Sequence, residues 1–331
     1  MTAQRWAPVL TLDELYSAQR TLEGVAHRTP VMRSTTLDSL AGGRVFLKCE
    51  SFQRSGSFKF RGAYTFLHRM PRSEVEKGVC TVSSGNHAQA VALAAKQLGL
   101  RAAVLMPDDA PAVKREATLH YGAEIVEYER LSRPQALAGE DFAAERGLPF
   151  VPAYDHPTIA AGAGTAVLEL LEEVNQLDQL IAPIGGGGGI SGYAAAVKRL
   201  FPACRVIGVE AAASAVTKRS LEAGRRIEVP LQPHIADGQM LTTPGEWTFE
   251  AMRSLLDDVV LVDDTEILTA MAFLFDRMKL VTEPSGAIAV AALLAGRASA
   301  AGGRTGVIIS GGNVGLDRFV ALMGAELNGR R

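Results

Sequence analysis

The sequence predicts an α/β protein, on three observations. Short apolar runs rich in β-branched residues alternate with longer Ala- and Leu-rich segments of helical period, the pattern of helices laid over a largely parallel sheet. The length, 331 residues, allows about two domains and a large buried core. Glycine accounts for 33 residues, about 10% against an average near 7%, and its clusters mark places where backbone turns sharply or approaches a ligand.

Taken along the chain, strands are expected at 45–49, 103–106, 124–128, 180–184, 205–210 and 306–310, with a further short apolar run at 79–82. Helices are expected at 87–99, 113–121, 164–175, 190–200, 265–277 and 286–295, where apolar residues recur at helical spacing. Stretches 53–57 and 149–157, which contain proline or polar residues, read as crossings between two α/β lobes. No repeat of 20 to 50 residues and no charge block interrupts this order.

Composition narrows the function. Apolar residues make up 47% and charged residues 21%, the mix of a folded globular chain. Thirty-four Lys and Arg against 36 Asp and Glu leave a net charge of −2 without a basic tail, which disfavours nucleic acid and anionic membrane as partners. Cys49, Cys80 and Cys204 form no C-x-x-C pair, so neither a disulfide framework nor structural zinc is expected. Asp13 and Glu14 precede any sustained apolar stretch, and no stretch approaches a spanning length, so a cytoplasmic setting is expected. A small-molecule site is the remaining expectation.

Four clusters have the composition of such a site. Gly185, Gly186, Gly187, Gly188 and Gly189 follow a strand and open a helix, which presents backbone N–H groups and a helix dipole to an anion such as phosphate. Gly187, Gly189 and Gly192 also satisfy the dinucleotide fingerprint, with Glu210 about 18 residues beyond Gly192 where a ribose-binding acid would sit, so a nicotinamide-dependent dehydrogenase stands as an alternative. Ser83, Ser84, Gly85, Asn86 and His87 precede an amphipathic helix; they suit a carboxylate or a proton shuttle, and ordinary helix capping explains them equally. Lys59 lies between Phe58 and Phe60, where desolvation would turn an ammonium into a usable amine nucleophile. Ser310 ends an apolar strand at the edge where open α/β sheets bind ligands.

Together these clusters resemble the fold type II family of pyridoxal-5′-phosphate enzymes, in particular the threonine/serine dehydratases and serine racemases. The match is collinear from Arg28 to Asn313 and includes the motifs at 121–123, 159–165, 235–238, 244–246 and 283–286. It gives roles to Lys59, Ser83 to His87 and Ser310, which the dinucleotide reading leaves idle.

The resemblance implies two open-sheet α/β domains of the tryptophan synthase β-like architecture. The larger, cofactor-binding domain comprises 1–52 and 154–331, and the smaller one 53–153. It further implies that Lys59 holds pyridoxal 5′-phosphate as a Schiff base, that Gly185 to Gly189 cradle its phosphate, and that Asn86 contacts its 3′-oxygen. Ser310 would bond the pyridine nitrogen, while Gly238 and Glu283 line the ring. Ser83, Ser84, Gly85, Asn86 and His87 would take the substrate carboxylate, and Lys59 and Ser84 would move protons at the α-carbon.

The implied activity is an ammonia-lyase (dehydratase) acting on L-threonine, L-serine or a related β-hydroxy amino acid such as 3-hydroxyaspartate or phenylserine. An amino-acid racemase with side elimination and a β-replacement enzyme are the alternatives within the family, and a homo-oligomer, dimer or tetramer, is expected. Pro244, Gly245 and Glu246 favour the dehydratase branch. Glu210 matches one carboxylate of the racemases' divalent-cation site, but Val216 stands where a second acid belongs, so no metal is expected. Ala163 stands where relatives often carry Gln; if it lines the pocket, it enlarges it. Arg133 is a candidate for meeting an acidic substrate group. The chain ends soon after these motifs, so feedback control through an appended regulatory domain is not expected.

Overall fold

The computed structural model describes residues 9–129, 135–300 and 302–329. The chain starts with α1 (Leu12–Leu22), opened by a capping box in which Thr11 accepts from Glu14 N and Glu14 accepts from Thr11 N. Next come β1 (Val31–Met32), α2 (Thr35–Ala41) and β2 (Arg44–Cys49). Then α3 (Lys59–Arg69), α4 (Arg72–Val75), β3 (Val79–Val82), α5 (Asn86–Gln97), β4 (Ala102–Pro107), α6 (Ala112–His120), β5 (Glu124–Tyr128) and α7 (Gln135–Arg146) alternate strand and helix. The remainder runs α8 (Pro157–Val174), β6 (Gln179–Pro183), α9 (Gly188–Leu200), β7 (Arg205–Ala211), α10 (Val216–Glu222), α11 (Glu246–Leu255), β8 (Asp258–Val262), α12 (Asp264–Met278), α13 (Pro284–Leu294), β9 (Arg304–Ile309) and α14 (Leu316–Gly329).

Two sheets result. The larger has the order β1-β2-β9-β6-β7-β8, parallel except for the antiparallel β1–β2 pair, and the smaller is the parallel β3-β4-β5. Side chains of β6 alternate between two cores: Leu180 and Ala182 pack with residues of α8 and α9, whereas Ile181 packs with residues of α12 and α13. Burial on both faces explains the near-continuous apolar runs of the central strands. The small sheet is likewise covered, by α3 and α5 on one face and α7 on the other.

Several elements differ from expectation. α8 begins at Pro157, seven residues before the expected 164, because His156 caps Thr158 N and proline suits the first helical turn. Gly162 and Gly164 sit inside this helix for packing reasons. A Cβ on Gly162 would fall 2.5 Å from Arg61 O of α3, and one on Gly164 would fall 2.7 Å from Gly192 O of α9. Strands β1 and β8 and helices α1, α2, α4, α7, α10, α11 and α14 were not among the expected elements. α3, which carries Lys59, was not either.

Candidate active site

Strands β6 and β9 are neighbours, with Ile181 opposite Val307, and their carboxyl ends open onto a pocket. Gly185 follows β6 and Ser310 follows β9; Ser83 follows β3 of the other sheet and faces the same space. This is the crevice where open α/β sheets take ligands. Lys59, Ser83, Ser84, Gly85, Asn86, His87, Gly185 to Gly189, Gly238 and Ser310 all line it, so residues scattered over about 250 positions of sequence converge. Glu283 stands behind Asn86 rather than on the wall, and Glu210 and Ala163 lie elsewhere.

Helices α3, α5, α9 and α13 begin at this pocket, and none has a side-chain cap. α3 starts at Lys59 after Phe58, α5 starts at Asn86 after Gly85, and α9 starts at Gly188 after Gly187. Elsewhere α1, α2, α8 and α12 are capped by Thr11, Ser34, His156 and Asp263, while the N-cap residues of α4, α6, α10 and α11 give no side-chain cap. Ordinary capping therefore does not account for Ser83 to His87: Ser83 Oγ accepts from Gly85 N at 3.1 Å, ahead of the helix. The first-turn amides of α5 and α9 remain for an anion, at the positive ends of their helix dipoles.

The glycine run must be glycine. Gly187 has φ +91°, and a Cβ there would lie 2.7 Å from Met252 Cε. Tyr154 closes over the run, and a Cβ on Gly186 would fall 2.2 Å from its Cγ. Thr248 Oγ1 ties the run to α11 by donating to Gly186 O at 2.7 Å. Asp155 accepts from Glu246 N and Thr248 N, which gives the proline-glycine-glutamate motif its place at the start of α11.

Lys59 Nζ donates to Ala153 O at 2.7 Å and lies 5.3 Å from the centroid of the Phe58 ring. Burial lowers its pKa to about 8, which makes the neutral amine accessible near neutral pH. His87 is buried, with Nε2 3.2 Å from Val151 O; burial first, then the Lys59 charge, lowers its pKa to about 3. It is a neutral hydrogen-bonding ring. Ser310 Oγ donates to Ser285 O at 3.2 Å, and Ser285 Oγ accepts from Gly238 N at 3.0 Å, so Ser285 links two of the expected site residues, Ser310 and Gly238.

A charged cluster adjoins the pocket that sequence reasoning missed. Lys114 lines it beside Asp237, and its Nζ donates to Asp237 Oδ2 at 2.9 Å and Glu283 Oε2 at 3.2 Å. These partners lie 123 and 169 residues away in sequence, so no local pattern exposes the pairing. Tyr154 was missed for the same reason.

The condition attached to Ala163 is not met. Ala163 does not line the pocket: it is buried in the core formed by α8 and α9, so its short side chain enlarges nothing there. The Glu210 carboxylate caps α10, accepting from Thr217 N at 2.8 Å and Lys218 N at 2.9 Å. Among the described residues no group of three His, Cys, Asp or Glu could hold a metal ion. Arg133 lies outside the described residues.

A family profile described as pyridoxal-phosphate dependent enzyme matches residues 22–311. The chain is 43% identical to L-threo-3-hydroxyaspartate ammonia-lyase from a Pseudomonas species, across 94% of this chain and 97% of that one. It is 42% identical to L-threonine ammonia-lyase of Geobacter sulfurreducens, across 87% of this chain and 71% of the relative. Among solved structures, maize serine racemase aligns with a TM-score of 0.90 at 38% identity, covering 97% of this chain and 99% of that one.

Proposed function

The chain belongs to the pyridoxal-phosphate dependent enzyme family, and from that premise we propose that it is an ammonia-lyase converting L-threonine, L-serine or a related β-hydroxy amino acid to a 2-oxo acid and ammonia. The observation that carries the reading is the convergence of a desolvated lysine amine, two uncapped helix N-termini and a strand-end serine in one pocket. The residues suit pyridoxal 5′-phosphate. Gly185 to Gly189 offer amides without side chains to a phosphate, and Lys59 offers an amine to its carbonyl.

When bound, that cofactor supplies an electron sink for negative charge at the substrate α-carbon. Lys59 Nζ would hold the cofactor and, as a neutral amine, would take the α-proton of the substrate. Asn86 is assigned to the cofactor's 3′-oxygen, Ser310 to its ring nitrogen, and Gly238 and Glu283 to the surroundings of the ring. A serine hydroxyl, unlike a carboxylate, does not stabilise a protonated ring nitrogen; the weaker sink suits prompt loss of the β-hydroxyl over a long-lived carbanion. Ser83 to His87 are assigned to the substrate carboxylate at the start of α5. The neutral His87 contributes a hydrogen bond rather than a charge.

The chain divides, in this reading, into 53–153 and the remainder, with the pocket between them. No helix among the described residues is long and apolar enough to cross a membrane. Cys49, Cys80 and Cys204 are buried free thiols, which suits the reducing cytoplasmic setting we propose, and a homo-oligomer that needs no metal is part of the same proposal.

Racemisation is a second reading, and Ser84, which the dehydratases share, does not by itself separate the two. The Ser84 hydroxyl is half-buried and lines the pocket, where it is available to return a proton to the α-carbon. Chirally resolved product analysis with L-threonine, L-serine, threo-3-hydroxyaspartate and 3-phenylserine separates the two. Predominant 2-oxo acid is expected. Ser84→Ala should reduce inverted amino acid at least about tenfold more than 2-oxo acid, as loss of one proton-transfer group requires. Predominant inverted product would make elimination the side reaction.

A further inference from the structure

Lys114 is a buried cation to which the assignments above give no task. It rises from α6, on the side of the pocket built on the small sheet, and reaches Asp237 and Glu283 on the side built on the large sheet. Its stem lies against the substrate loop, since a Cβ on Gly85 would stand 3.2 Å from Lys114 Cδ. The second oxygen of Glu283, Oε1, accepts from Asn86 Nδ2. Asn86 Oδ1 in turn accepts from Asn313 Nδ2 at 2.8 Å, and Asn313 Nδ2 also donates to Ser55 O at 2.7 Å.

The direction of this chain of bonds is forced. An ammonium only donates and an ionised carboxylate only accepts, so Asn86 must turn its NH2 to Glu283 and its carbonyl to Asn313. Glu283 holds two roles at once: it is the N-cap residue of α13, yet its carboxylate caps nothing there and points to Asn86 and Lys114. Burial pushes the Glu283 pKa up and Lys114 opposes that push; the Lys114 pKa is raised because Glu283 and Asp237 outweigh its own burial. Without the ammonium, a buried carboxylate beside Asp237 would take up a proton and cease to be an obligatory acceptor.

We propose that Lys114 is a positioning residue: by bridging Asp237 and Glu283 across the pocket it fixes Glu283, and through Glu283 the orientation of the Asn86 side chain at the first turn of α5. The inference rests on the pocket being the site of the lyase reaction and adds the residue that sets its geometry. Lys114 reaches the reacting atoms only through Glu283 and Asn86.

The test uses holoenzyme of Lys114→Met, Lys114→Arg, Glu283→Gln and the Lys114→Met/Glu283→Gln double variant. Two quantities are read: kcat and KM for the best β-hydroxy amino acid, and the dissociation constant of pyridoxal phosphate from fluorescence without substrate. Lys114→Met should raise both KM and that dissociation constant about tenfold, the loss of one charge-assisted hydrogen bond, with kcat changed less than about threefold. Lys114→Arg should restore most of the loss. The double variant should be no worse than the more severe single, because both changes break one path. Values for Lys114→Met within about twofold of the parent, or losses that multiply in the double variant, would overturn the proposal. If Lys114→Met does not fold, Lys114→Gln with the same Glu283→Gln cycle decides the question. A parent protein that turns over no β-hydroxy amino acid would instead sink the lyase reading, while the cofactor-binding arm would still decide the role of Lys114.

Discussion

Lys59 carries an amine into a pocket where the only hydrogen bond it makes among the described residues is to the Ala153 carbonyl, and burial alone sets its pKa to about 8. A solvated lysine would titrate near 10.4. The rate at which apoprotein captures added pyridoxal phosphate should therefore rise about tenfold per pH unit below 8 and level off near 8; stopped-flow absorbance checks this, and a rise continuing toward pH 10 would contradict it. His87 makes the opposite kind of prediction. Its folded pKa of about 3 lies below the ordinary 6.5, so between those values the unfolded chain binds more protons. Stability is then full above pH 6.5 and is lost as pH falls toward 3; the His87 share between pH 7 and 5 is about 2 kcal/mol. Urea titrations at both pH values should show that loss, and His87→Gln should remove it. At this scale the sequence exposed Lys59, Ser310 and the serine-asparagine loop, because each sits in a short motif whose chemistry is local. It did not expose Lys114, whose meaning depends on carboxylates far away in sequence, and it left the place of Ala163 open, since helix periodicity alone does not say which buried face meets a pocket.

Helices α8 and α9 cross at glycine, and that contact holds the glycine-rich end of the pocket. A Cβ on Gly192 would stand 1.9 Å from Ala160 O, a backbone atom that cannot swing aside. Gly192→Ala should force the helices apart and destabilise the fold by about 3 kcal/mol in urea unfolding, the upper end of what overpacking costs, because the clash is with backbone. Gly24→Ala meets nothing within 4 Å and strains only a φ of +70°, so a cost near 1 kcal/mol is expected; equal costs at the two sites would contradict the packing argument. Central strands β6, β7 and β9 were legible because they are buried on both faces and read as apolar runs. β1 has only two residues, and β8 lies at the sheet edge with a mixed burial pattern, so neither carries a strong signal. The uncapped start of α5 could not be distinguished from a capped one in sequence, because a serine near a helix start either caps or does not according to its rotamer; that of α9 was legible, since a glycine has no side chain to cap with.

Across the whole molecule, a buried charge network ties the element bearing Lys59 to its surroundings. Arg61, two residues beyond Lys59, donates from Nε to Glu50 Oε2 at 2.7 Å and from Nη1 to Glu169 Oε1 at 2.6 Å, while Lys48 Nζ reaches Glu169 Oε2 at 2.6 Å. The network joins β2, α3 and α8, and Arg61, Glu50 and Lys48 are fully buried. Arg61→Met should cost about 3 to 5 kcal/mol, because it leaves Glu50 buried without its cation; a loss below about 1 kcal/mol in urea unfolding would show the network to be dispensable. Fold class and the pocket's main residues were legible at this scale through the ordered set of motifs, whereas the network was not, since none of its charges stands out from ordinary surface residues. The central claim is that this pocket runs a lyase reaction through Lys59. The most direct measurement incubates the protein with pyridoxal phosphate and L-threonine, L-serine or threo-3-hydroxyaspartate and quantifies 2-oxo acid and ammonia together, alongside Lys59→Ala. Equimolar 2-oxo acid and ammonia from at least one substrate, abolished together with the cofactor's visible absorbance in Lys59→Ala, is the predicted result; turnover that survives in Lys59→Ala, or no 2-oxo acid from any of the three with the parent, would contradict it.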